Sequence, residues 1–93
     1  LHIAYSDASA NTSTGVITKN GHAIRVGQTV AVIEAGNHPN DGVTWTADKV
    51  VKGVVSAVAA NTFTVLAYGG ATLTAAGLTS GSSVTVKVFV YGS

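Results

Sequence analysis

From Ser83 to Tyr91 the chain alternates with a period of two. Val84, Val86, Val88 and Val90 fall on one side, and Thr85, Lys87, Phe89 and Tyr91 on the other. Successive side chains of a strand point to opposite faces, so this pattern specifies a half-buried β-strand with the valines turned inward. A slip of one residue would turn every valine to solvent, which also fixes the register. The aromatic pair on the other face then covers a second surface, as an interface or a cross-strand stripe.

No segment carries a sustained helical period. Val, Thr, Ala, Gly and Ser dominate the sequence, and β-branched residues suit pleated surfaces. Short β-branched runs recur between Gly and Asn punctuation. The spacing predicts an all-β fold, a small antiparallel β-barrel or sandwich of about six or seven short strands. The 93 residues make one domain, 1–93, with residues 1–14 expected to be a strand plus flexible loop.

Along the chain, Leu1–Tyr5 reads as an entering strand, Ser6–Thr14 as a small polar loop and Gly15–Thr18 as a second strand. Asn20-Gly21 is a strong hairpin signal, because that pair readily takes φ > 0 at both turn positions. Arg25–Gln28 reads as a turn and Thr29–Glu34 as a strand. Gly36–Gly42 is a turn cluster holding the one proline, Pro39, and Val43–Thr46 is a candidate short strand carrying Trp45. Lys49–Val58 and Thr62–Leu66 form an expected hairpin through Ala59-Ala60-Asn61, with Asn61 suited to a left-handed backbone. Tyr68-Gly69-Gly70 turns the chain, Leu73–Leu78 is a loop or a single helical turn, and Ser80-Gly81-Ser82 turns again.

Chemistry is hard to place on this sequence. There is no cysteine, and His2, His22 and His38 lack metal-ligand spacing. His38 and Asp41 fall within Asn37–Gly42, whose Asn, Asp, Pro and Gly are what a tight loop requires. The acids Asp7, Glu34, Asp41 and Asp48 are scattered, with no calcium-loop spacing. No nucleophile elbow or phosphate-binding loop is present. Asn11-Thr12-Ser13 matches the glycosylation sequon, which matters only in a secretory pathway. The reading is a non-enzyme, with no catalytic, cofactor-binding or metal residues and no cofactor. Trp45, Tyr68, Phe89 and Tyr91 could form a ligand platform, but aromatics more often fill a core or an assembly interface.

Only 10% of residues are charged, against about 25% in an average domain. Such a surface suits a domain that packs against neighbours, and equally a Thr/Ser-rich β surface that is soluble by itself. Lys19, Arg25, Lys49, Lys52 and Lys87 are dispersed, which argues against nucleic acid as a partner. No apolar run approaches the roughly 20 residues that a spanning helix needs, so no membrane partner is expected. The chain opens on Leu1 and contains no methionine, so a processed product or an excerpt of a longer polypeptide is expected.

The rhythm of Val26–Val30, then Gly53–Val58, then Asn61–Val65 resembles the small β-barrel modules of tailed-phage virion proteins. Ala67–Thr72 is similar to the Gly-rich segment after the hairpin in one group of phage major capsid proteins, and Val84–Val88 leading to Tyr91-Gly92 to that group's exit strand. The resemblance covers Val26–Gly92. Gln28 stands where an acidic residue is usual, and Gly36–Asp48 is a longer excursion than many such modules carry. The resemblance implies a mechanical function on the capsid surface of a virion, as a decoration protein or an accessory domain of the major capsid protein. The partners it implies are copies of the chain and neighbouring capsid subunits. The alternative from another class is a carbohydrate- or host-binding module of a tail fibre or adhesin, marked by Trp45 beside the His38–Asp41 loop.

Overall fold

The computed structural model describes residues 3–37, 43 and 45–92. These residues form six strands: β1 (Ile3–Asn11), β2 (Val16–Thr18), β3 (Thr29–Glu34), β4 (Lys49–Val58), β5 (Thr62–Ala67) and β6 (Val84–Gly92). They close into a barrel in the order β1-β2-β5-β4-β3-β6, and every neighbouring pair is antiparallel. Strands β3, β4 and β5 follow one another, and β6 returns to lie beside β3, which is a Greek-key arrangement. The all-β expectation holds, and the sheet is a closed barrel rather than a sandwich. Closure leaves no unpaired edge among the described strands that is open to strand addition.

The interior is filled in strict alternation. Val30 and Val32 of β3, Val51 and Val55 of β4, Phe63 and Val65 of β5, and Val86, Val88 and Val90 of β6 are all buried. On β6, Thr85 and Lys87 are exposed and Val84 is half-buried near the strand's start, as the period of two requires. Ile24, Leu73 and Leu78 join the same core from the connections between strands. Gly53 takes an inward position on β4 because a Cβ there would strike the Leu66 carbonyl oxygen of β5.

The β4–β5 hairpin forms as expected, with Val54 opposite Leu66 and Val58 opposite Phe63. Its turn is closed by the Ala59 N–H donating to the Thr62 carbonyl at 2.8 Å. Asn61 is not left-handed: all residues with positive φ among those described are glycines. A bulge between Val55 and Ala57 adds one residue to β4 beside this turn, and such bulges increase local twist. Arg25–Gln28 is the expected turn, with Gly27 at φ 91°. The Gln28 amide is buried, and its Oε1 accepts the Arg25 N–H at 2.8 Å.

Three sequence expectations are corrected. Ser6–Thr14 is not a loop throughout, because β1 runs to Asn11 and pairs Ala8 with Val86 and Ala10 with Val84. Ala8 and Ala10 are fully covered, so small residues suffice where larger side chains of other strands fill the barrel. Asn20-Gly21 makes a turn but not a hairpin: β2 pairs with β1 and β5, never with β3, and Asn20 lacks the positive φ of a hairpin turn. Among the described residues of Val43–Thr46 there is no strand. The Thr46 N–H donates to the Asn37 carbonyl at 2.7 Å, and no ladder forms there among the described residues.

Candidate interaction surface

The outward residues of β6, β3, β4 and β5 make one continuous face. Cross-strand pairing sets its rows: Lys87, Ile33 and Val50 in one, Phe89, Ala31 and Lys52 in the next, then Thr29, Val54 and Leu66. Tyr68 extends the middle row, its N–H donating to the Lys52 carbonyl at 3.2 Å. Lys52 places its Nζ 5.8 Å from the centre of the Tyr91 ring, a cation–π geometry. Ala31 is outward-facing and still almost fully covered, so the side chains around it pack over the barrel wall. Val54, Leu66, Tyr68 and Tyr91 stay 36–58% exposed. Tyr68, Phe89 and Tyr91, three of the four aromatics that suggest a platform, thus share one face. The sequence does not reveal that Val54 and Leu66 join them, because the pattern of neither strand says which side faces out.

The fourth aromatic stands elsewhere. Residues 35–48, the arm, connect β3 to β4, and the described flanks of this connection, 35–37 and 45–48, are tied together. The Asp48 carboxylate accepts the Gly36 N–H at 2.8 Å, and the Thr46 hydroxyl accepts the Asn37 N–H at 2.7 Å. Gly36 permits this close approach, since a Cβ on it would meet the Thr46 carbonyl oxygen and lie 2.5 Å from that of Ala47. The arm presents Val43 and Trp45, 83% and 60% exposed. His38 and Asp41 lie outside the described residues, as does His2.

At the arm's base Glu34, Lys49 and Thr79 form a polar cluster. Glu34 accepts the Thr79 N–H at 2.8 Å and the Thr79 hydroxyl at 2.5 Å, and Lys49 Nζ donates to that hydroxyl oxygen at 3.2 Å. Burial pushes the Glu34 carboxyl up, but the hydroxyl, the N–H and the Lys49 charge outweigh it and hold the group below the usual glutamate value. An open depression of about 390 Å³ adjoins the cluster, lined by Glu34, Gly36, Asn37, Thr46 and Lys49 among others. Among the described residues no three His, Asp or Glu side chains converge as a metal-ligand set.

The other polar groups singled out in the sequence serve the fold. His22 Nε2 contacts the Ala59 and Thr62 carbonyls at 2.8 and 2.9 Å, and Nδ1 accepts the Ile24 N–H at 3.2 Å. That assigns the neutral ring with its proton on Nε2. Asn11 Oδ1 accepts the N–H groups of Ser13 and Thr14, an Asx turn into β2. Thr12, the middle of the sequon, is fully buried. No helix among the described residues is long and apolar enough to cross a membrane.

No protein-family model, curated protein or solved structure matches this chain.

Proposed function

We propose that this chain is a structural virion domain, either a capsid decoration protein or an accessory β domain of a tailed-phage major capsid protein. It stabilises the shell on the capsid surface through contacts with its own copies and with neighbouring capsid subunits, and performs no bond chemistry. One observation carries the reading. A closed barrel with a complete core of its own keeps a second apolar surface outside, centred on the paired Val54 and Leu66 and flanked by Tyr68 and Tyr91. Contiguous exposed apolar surface marks interaction sites. The low charge of the chain supports the same reading, since strong single-sign charge would oppose close packing of identical copies. The lysines of this face stand among apolar residues rather than in a basic stripe, which is not the footprint of a nucleic-acid binder.

The glycan-binding alternative rests on Trp45, whose exposure on the arm is that of a residue able to stack on a sugar ring. Electron microscopy of purified particles separates the two. The expected result is density for the barrel in regular copies on an icosahedral lattice. Density confined to a fibre tip, or a free domain that binds a glycan array and never joins a particle, would replace this reading with the adhesin one.

A further inference from the structure

The outer face and the arm are complementary in both charge and polarity. The face carries Lys52 and Lys87, and no carboxylate stands among its described outward residues. The arm, residues 35–48, contains Asp41 and Asp48 and no Lys or Arg. It also displays Val43 and Trp45, the two most exposed large apolar residues of the described chain together with Val26. Each surface therefore offers what the other lacks.

We infer that the face of one copy receives the arm of the next, so that the chain self-assembles through a head-to-tail contact. Val43 and Trp45 pack on the Val54, Leu66, Tyr68 and Tyr91 side chains, and the arm's negative charge meets Lys52 and Lys87. This inference rests on the reading of the chain as an assembly domain and names the contact that such assembly uses.

The alternatives within one copy or between two faces are poorer. The arm leaves the barrel beyond the Glu34–Lys49 pair, and Val54 lies five residues farther along β4. At about 3.3 Å per residue that is roughly 17 Å away. The bonds between Gly36 and Asp48 and between Asn37 and Thr46 join the arm's described flanks to each other, and Trp45 stays exposed rather than covering the face of its own copy. Two faces docked on each other would gather Lys52 and Lys87 of both copies into one contact with no carboxylate among its described outward residues, and like charges oppose such a contact. Strand addition is closed off because the barrel has no free edge among its described strands. What is left is a heterologous contact, which generates rings when the rotation closes and extended arrays when it does not.

A single contact of this kind is small. An aromatic side chain buries about 150–250 Å², while stable complexes bury about 1,200–2,000 Å² in total. Isolated pairs are therefore weak, and strength comes from each copy both giving an arm and receiving one. The test traps the contact instead of waiting for a stable dimer. The sequence has no cysteine, so V43C and L66C each introduce a single thiol. The two variants are mixed and treated with a short bismaleimide linker. Cross-linked dimer in the mixture should exceed that in either variant alone, and W45A added to the V43C copy should remove the excess. K52E added to the L66C copy should lower it severalfold, more in dilute than in concentrated salt. A mixture that yields no more than the separate variants overturns the inference, as does a yield indifferent to both W45A and K52E. Sedimentation keeps the two readings apart. Self-association without the mixed product would reject this contact and leave the assembly reading standing. The mixed product from a chain absent from particles would keep the contact and remove the virion.

Discussion

The ring of His22 stands edge-on to that of Phe63, with centroids 5.2 Å apart and planes at 68°. Phe63 is the largest fully buried side chain of the barrel, and His22 sits on the connection from β2 to β3. The same imidazole reaches the carbonyls on both sides of the β4–β5 turn. It thus pins the connection from β2 to β3 onto the turn of the β4–β5 hairpin, whose strands β2 and β3 flank through the β2–β5 and β3–β4 ladders. Replacing His22 by Ala removes the shared donor and the ring contact together. The expected loss is about 1–2 kcal/mol, read as a lower melting temperature, and an unchanged melting curve would contradict it.

Val86 is buried on β6, and Lys87 beside it is exposed. Val86→Asp should abolish cooperative folding, since an unpaired buried carboxylate consumes a large part of a small domain's total stability of about 5–15 kcal/mol. Lys87→Asp should leave the melting temperature within the range of ordinary surface changes, about 0.5 kcal/mol. Circular dichroism melts of both variants check the pair, and similar curves would mean that the strand faces are reversed.

Strands with a clear period are legible in the sequence alone. Thr29–Glu34 and Lys49–Val58 have the bounds that their composition and punctuation predict, and β6 presents its valines inward. What escapes a sequence reading is decided by distant parts of the chain. Ser6–Asn11 has loop composition, and only the pairing with β6 and β2 makes it a strand. Asn20-Gly21 has hairpin chemistry, but β2 finds its partners in β1 and β5, so the turn starts a crossing instead. The candidate interaction surface is half legible, since the period of β6 places Phe89 and Tyr91 on an outer face. Its extent over Val54, Leu66 and Tyr68 depends on the register across β4 and β5, which no single strand encodes.

Two buried hydroxyls should respond oppositely to the same change. Thr12 Oγ1 donates toward the carbonyls of Thr79 and Gly81 at 2.7 and 3.3 Å and accepts the Gly81 N–H at 3.1 Å. Thr12→Val takes the hydroxyl from the Thr79 carbonyl and the Gly81 N–H, while the Gly81 carbonyl keeps the Thr12 N–H, and the expected cost is about 1–3 kcal/mol. Thr74 Oγ1 is buried without a hydrogen-bond partner. Thr74→Val removes an unsatisfied group at nearly constant shape and should be neutral or stabilising. Chemical denaturation of the two variants gives the comparison, and equal losses would show that the two sites are alike.

Glu34 makes stability depend on acid. Its folded carboxyl titrates below the usual glutamate value because Thr79 and Lys49 favour the charged form over the opposing effect of burial. A group lowered on folding contributes stability above its unfolded value and loses it as pH falls through the folded one. The wild-type chain should therefore exceed Glu34→Gln in melting temperature near neutral pH, and the gap should shrink on acidification below about pH 4. A gap that stays constant, or widens in acid, would mean that the Thr79 and Lys49 contacts do not govern the carboxyl.

Gly36 allows the shape of the arm to be changed without touching the barrel. Its Cα lies so close to the Thr46 and Ala47 carbonyls that any Cβ must displace backbone, whereas none of the described residues of the arm, 35–37, 43 and 45–48, belongs to the buried core. Backbone atoms cannot rotate away as the end of a side chain can. Gly36→Val should thus break the bonds that join Gly36 to Asp48 and Asn37 to Thr46, and open the arm at its base. The β3–β4 ladder begins only at Glu34 and Lys49 and should persist. Trp45, the one tryptophan of the chain, reports on the arm directly. The expected outcome is a changed Trp45 emission and anisotropy, with a circular dichroism spectrum and melting midpoint close to wild type. Loss of the barrel together with the arm would show that the two fold as one unit, and unchanged fluorescence would show that the close approach at Gly36 does not shape the arm.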